Sequence, residues 1–196
     1  MKKLLISLLL ITSVSFGQFS IGVGGGFSTI KAPDVYTKSI NSGGLGFSSG
    51  YHLGVKAKLS LPIIPLKPFG FFNYYSFKGS VTALGQEIKT SQSITSYGLG
   101  VEYAIVPGPI SPYFSVEAGY NNFGKINVEN QQLQATRILS SGSLQRIGVG
   151  VGFGAEINLI VFTLDSSIKY QFLNVGGKES GEETISCLNV NFSILF

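Results

Sequence analysis

Eight charged residues stand inside stretches that otherwise alternate apolar with small side chains: Lys56, Lys58, Glu102, Glu117, Arg146, Glu156, Asp165 and Lys169. Charges so placed could serve acid–base catalysis, metal binding, or ionic pairing in an enclosed space. Metal binding is poorly served, because His52 is the single histidine and no multi-histidine site can form. Ser–His hydrolysis would need His52 beside a serine on a reachable, outward surface. Yet His52 lies between Tyr51 and Leu53, in the phase that points away from the apolar face. The glycine runs at 22–26 and 148–154 lack the G-x-G-x-x-G spacing that leads into a helix, and no G-K-[ST] follows. The sequence therefore assigns no catalytic, cofactor-binding or metal-binding residue. Four bases and four acids remain, and ionic pairing is the chemistry that suits them.

The elements that must position these charges are strands. In residues 146–157, Ile147, Val149, Val151, Phe153, Ala155 and Ile157 alternate with Arg146, four glycines and Glu156. A period of two puts one set on each face. A soluble sandwich would carry ordinary polar residues on its second face, not glycines bracketed by charges. Apolar outside and small or charged inside is the pattern of a transmembrane β-barrel strand.

Composition agrees. The 196 residues are 44% hydrophobic and only 12% charged, with 26 glycines and a mean hydropathy of +0.32. That is apolar for a water-soluble domain of this size. No stretch reaches the roughly 18 consecutive apolar residues a spanning helix needs, so a membrane would be crossed by strands. Met1, Lys2 and Lys3, an apolar run at 4–14 and Ser15-Phe16-Gly17 read as a signal peptide over 1–17, leaving a barrel domain over 18–196. The two leader lysines carry half of the net charge of +4, and no basic run offers itself to nucleic acid. Cys187 is alone, which excludes an internal disulfide and makes it a small apolar filler.

Taken in order, the alternation predicts eight strands at 19–27, 51–61, 68–78, 93–105, 112–120, 146–157, 161–172 and 184–196. Their connections alternate long and short, as in an antiparallel up-and-down barrel with its long loops on one end and no edge left unpaired. Residues 28–50 and 121–143 are the longest loops. The third strand is phased with Phe69, Phe71, Tyr75 and Phe77 outward. Aromatic girdles then follow: Phe27, Tyr51, Tyr75, Phe77, Tyr120, Tyr170 and Phe172 at the loop end, and Phe19, Phe69, Tyr103, Phe162 and Phe196 at the turn end. With phases set from apolar residues alone, all eight charges fall inward. A Lys or Arg facing lipid at mid-bilayer costs roughly 2–4 kcal/mol, which the lumen avoids. The expected pairs are Lys56 and Lys58 with Glu102 or Glu117, and Lys169 with Asp165, in a lumen packed with polar side chains.

The end of the chain, NVNFSILF, sets polar Asn189 before Phe192, Ile194 and Phe196 in one outward phase. This resembles the C-terminal signal of Gram-negative outer-membrane barrels, which implies recognition by the barrel assembly machinery. Asn191 stands where Gly is common and Ile194 where an aromatic is frequent. Over 18–196 the chain resembles the small eight-stranded outer-membrane β-barrels of the OmpA and OmpX type. The resemblance implies an outer-membrane address, lipid as the surrounding partner, a monomer, no cofactor, and a structural or interaction role through external loops. The chain also resembles PorT-like barrels of secretion or gliding machinery in size and leader, and a small-solute or hydrophobic-compound channel is a further alternative. A lipid-modifying enzyme ranks last.

Overall fold

The glycine-rich stretch folds as β8 (Leu144–Asn158), with Ile147, Val149, Val151, Phe153 and Ile157 exposed on one face and Arg146, the four glycines and Glu156 buried on the other. It belongs to a closed barrel, seen in a computed structural model that describes residues 18–47, 49–61, 64–83, 86–106, 108–130, 135–138 and 144–196. The expected leader, and residues 62, 63 and 107 of two expected turns, lie outside the described residues.

The barrel strands are β1 (Gln18–Ala32), β2 (Ser49–Ser60), β3 (Leu66–Ala83), β4 (Gln86–Ala104), β5 (Ile110–Phe123), β8, β9 (Thr163–Gly176) and β10 (Ser186–Leu195). Each pairs antiparallel with its neighbour, and β1 closes on β10 with Gly22 opposite Leu195 and Phe27 opposite Val190. Backbone bonds between Ile21 and Phe196 extend that seam. Two short strands, β6 (Asn127–Asn130) and β7 (Ala135–Ile138), form a ribbon whose β6 pairs with the extension of β4, Ile88 opposite Asn130. Among the described residues β7 pairs only with β6, so one ribbon edge stays open, contrary to the expectation that none would. Closure constrains only the strands that wall the lumen; the ribbon lies beyond them, in polar sequence.

A barrel strand needs about 9–11 residues to cross a membrane. At 18 and 19 residues, β3 and β4 run well past that, pairing through Ala83 opposite Gln86. The segment 79–92, which the expected strand bounds left as a loop, is thus mostly a protruding hairpin.

The phase of the third strand is the reverse of the sequence expectation. Phe69, Tyr75 and Phe77 are buried at 3%, 2% and 0% exposure, whereas Phe72 and Tyr74 face outward. The cause lies on neighbouring strands, where glycines leave space in the lumen. A β-carbon on Gly100 would lie 2.3 Å from Phe69 Cζ, and one on Gly119 would lie 3.0 Å from Phe71 Cζ. The aromatics of β3 fill those hollows, so Phe69, Tyr75 and Phe77 leave the girdles.

Candidate functional site

The lumen is filled at three levels. At the turn end, Lys56 and Lys58 on β2, Glu102 on β4, Glu156 on β8 and Asp165 on β9 converge, because each sits in the inward phase two to four residues from its strand's end at the turns. Lys56 Nζ lies 2.5 Å from Glu102 Oε1 and 2.6 Å from Asp165 Oδ2. Lys58 Nζ lies 2.5 Å from Glu102 Oε2 and is also paired with Glu156. Lys67, at the start of β3, pairs with the other oxygen of Glu156. Tyr113 donates its hydroxyl to Asp165 Oδ1 at 2.5 Å. Three lysines thus face three carboxylates, with Glu102 wholly buried. Neutrality makes such burial tolerable, since a lone charge there would bear the full desolvation cost.

In the middle, Lys169 Nζ lies 2.6 Å from Glu117 Oε2, and Gln171 donates to the other Glu117 oxygen. Gln171 in turn accepts from Asn189 Nδ2 at 2.6 Å and from the Tyr75 hydroxyl at 3.3 Å. Glu117 and Lys169 belong to β5 and β9, which flank β8. They meet because β8 presents glycines between them: a β-carbon on Gly152 would lie 2.8 Å from Lys169 Cγ, and one on Gly150 3.1 Å from Glu117 Cγ. Lys56 and Lys169 also flank Phe69, their Nζ atoms 4.9 and 5.2 Å from its ring centre, a favourable place for cations.

The expected partner of Lys169 was Asp165, and here the structure differs. Four residues along one strand span about 13 Å, too far for contact, so each finds a partner across the lumen instead. Arg146 joins neither group. It lies at the loop end, donating from Nε to both Glu182 oxygens at 3.0 and 2.9 Å, with Glu179 at 3.4 Å. These bonds hold the Glu182 carboxyl down at about 2, below the usual carboxylate range. Asn174 Nδ2 also donates to Glu182, and Asn174 Oδ1 accepts from the Ile185 amide at 2.6 Å, which ties the segment between β9 and β10 over the mouth.

The third level is apolar, so the lumen is not polar throughout as expected. Ile30, Phe47, Tyr75, Phe77, Ile94, Phe123, Leu173, Ile185 and Cys187 form one buried cluster at the loop end. Phe47 comes from the long segment after β1, which makes a single turn, α1 (Asp34–Thr37), and a 3₁₀ turn before bringing Phe47 to 0% exposure. Burying such a ring contributes about 1.5–3 kcal/mol. Residues 28–50 therefore carry part of the core, not only surface.

Two features escaped sequence reasoning. Lys67 was missed because the expected third strand began at residue 68, whereas the observed one begins at Leu66; in the observed phase it falls inward with Phe69. Ser28 Oγ also lies 2.8 Å from His52 Nδ1, a Ser–His pair that a register between strands one and two could have found. Both residues are buried in the lumen, at 1% and 2% exposure. Beside His52 a cavity of about 30 Å³, lined by Lys56, Asn73, Lys169 and Asn191 among others, has room for water and little more.

No family model matches the sequence, and no curated protein matches it. Solved structures do. Neisserial surface protein A superposes with a TM-score of 0.57 at 14% identity, covering 91% of this chain and 97% of that one. A major outer membrane protein from Thermus thermophilus gives 0.57 at 13%, covering 92% and 98%. Ail, the attachment invasion locus protein of Yersinia pestis, solved in complex with the heparin analogue sucrose octasulfate, gives 0.50 at 16%, covering 92% and 99%. At these identities the likeness is one of fold: this chain has the architecture of the small eight-stranded outer-membrane barrels.

Proposed function

We propose that this chain is an exported, monomeric, non-conducting barrel of a Gram-negative outer membrane, non-enzymatic, acting through its loop end in envelope integrity, adhesion or partner binding. In this reading residues 1–17 are removed on export, and Phe192, Ile194 and Phe196 are read by the barrel assembly machinery. All three face outward, as a strand docking on that machinery requires.

The observation that carries the reading is the filled lumen. Ion pairs close the turn end, and the apolar cluster around Phe47 closes the loop end. An eight-stranded barrel is about wide enough for its own side chains, and balanced internal charge offers no selectivity to a passing ion. With the lumen closed, the loops are the surface left to act. The Ser28–His52 pair does not argue for hydrolysis, because a nucleophile at 1% exposure meets no substrate.

Planar-bilayer recording of the refolded protein tests this. Wild type is expected to give no steady single-channel steps. A steady conductance that shifts in Lys56→Ala or Glu117→Ala would overturn the reading in favour of a channel.

A further inference from the structure

The three short connections at the turn end are apolar where a connection in water would be polar. They read LPIIPL at 61–66, IVPGPI at 105–110 and NLIVF at 158–162, without a charge among them. Ile64, Val106, Leu159 and Val161 are exposed there, and Ile160 is fully so. The loop end of the same chain is built otherwise: its connections carry Asp34 and Lys38, Lys125, and Lys178, Glu179, Glu182 and Glu183. Exposed apolar surface gathered in one place marks contact with a membrane or with a protein partner.

The backbone of these turns favours the membrane. Asn158 donates from its amide to the Pro109 carbonyl at 2.7 Å and from Nδ2 to the Gly108 carbonyl at 2.9 Å, the Leu159 amide donates to the Phe162 carbonyl at 2.9 Å, and the Ala104 amide donates to the Pro65 carbonyl at 2.8 Å. Pro62, Pro65, Pro107 and Pro109 bring no N–H that needs a partner. Few donors and internal bonds are what lipid demands of a backbone, whereas a protein interface carries polar groups at its rim. The apolar surface also continues into the lipid-facing wall. Ile110, Ile157, Leu164, Ile194 and Val23 stand side by side in register across five strands, all exposed. A surface that runs around the barrel in this way suits surrounding lipid, not a partner docking on one side.

Depth follows from β5, where Tyr120 and Ile110 are the outermost exposed apolar residues of the strand. At about 3.4 Å per residue on a strand tilted by about 40°, the stretch between them spans about 25 Å, the height of the hydrocarbon band. Turn residues beyond Ile110 therefore meet the headgroup boundary. We propose that the turn end is seated in the phospholipid leaflet it faces, with Ile64, Val106, Ile160 and Val161 at the boundary between headgroups and acyl chains. The turns then anchor the barrel's depth and offer no docking face to a periplasmic protein. The inference concerns the turn end alone, and depends neither on what the loop end binds nor on whether the lumen conducts.

The chain contains no tryptophan, so a single introduced tryptophan reports its own depth. Ile160→Trp and Val106→Trp are compared in phospholipid nanodiscs with Leu99→Trp on the lipid-facing wall and Ser180→Trp in the exposed segment between β9 and β10, each first checked for heat-modifiable folding. The two turn variants should emit to the blue of Ser180→Trp and be quenched severalfold less by acrylamide. Lipid brominated near the headgroup should quench them more than lipid brominated near the chain end, and Leu99→Trp should reverse that order. Because tryptophan itself favours the interface, Ile160→Cys in a Cys187→Ala background supplies a second readout: a charged maleimide should label it severalfold more slowly than Ser180→Cys in the same background. Turn tryptophans as open to acrylamide as Ser180→Trp, or a thiol at position 160 that reacts as fast as one at 180, would overturn the proposal and leave the turn end as a face for a periplasmic protein. Bilayer recordings do not report on these turns, so a failure here leaves the non-conducting reading standing.

Discussion

Phe69 and Gly100 occupy one volume between them: a β-carbon on Gly100 would lie 2.3 Å from Cζ and 2.7 Å from Cε1 of the ring. The two are paired across β3 and β4, so neither can retreat without breaking register. Gly100→Val is therefore expected to lose heat-modifiable folding on gels, or to lower the unfolding free energy measured in urea by about 1–3 kcal/mol through overpacking. Gly70→Ala is the control, because a β-carbon there meets nothing nearer than 3.7 Å. Equal stability of the two variants would show that Phe69 does not occupy the lumen.

The pair Lys169 and Glu117 offers a double-mutant test. Lys169→Met leaves Glu117 buried with only Gln171 for company, and Glu117→Gln leaves Lys169 without its carboxylate. Each single change should cost about 3–5 kcal/mol, and Lys169→Met with Glu117→Gln together should cost less than the sum, because no orphan charge remains. Unfolding in lipid vesicles measures it. Strict additivity would mean the two side chains do not interact.

A third expectation concerns acid. Glu182 is held at about 2 against an ordinary 4.5, chiefly by its hydrogen bonds from Arg146. A depressed carboxyl contributes fully above its ordinary value and loses that contribution as pH falls from 4.5 toward 2. The segment between β9 and β10 should loosen over that window. Protection of the Ile185 amide against hydrogen exchange, corrected for the intrinsic rate, is the readout, and Glu182→Gln should abolish the dependence. Constant protection across the window in the wild type would contradict it.

Much of the architecture was legible because lipid imposes a simple rule. Ile147, Val149 and Val151 had to face out and Glu156 and Arg146 in, so strand phases and inward charges could be read from alternation. The rule failed at the third strand, where both faces are aromatic and only the glycines of other strands decide which face fits the lumen. Gly100 and Phe69 are thirty-one positions apart, and no local pattern links them. Which lysine met which carboxylate was likewise hidden, since Lys169 reaches Glu117 only across the glycines of β8. The insertion of Phe47 was invisible for a related reason: a water-facing loop has no obligatory period, and its one buried ring resembles any surface aromatic.

β8 keeps two rates of drift within a single strand. At Ile147, Val149, Val151 and Phe153 the solvent is hydrocarbon, which conforms to any apolar shape, so substitutions among aliphatic and aromatic residues cost little. At Gly148, Gly150, Gly152 and Gly154 a single added carbon meets a side chain or backbone atom at 2.3 to 2.9 Å, and substitution is blocked. Half of such a strand can therefore be rewritten while its backbone stays put, so the same fold is compatible with sequences as unlike as this chain and the Neisserial and Thermus barrels, at 14% and 13% identity.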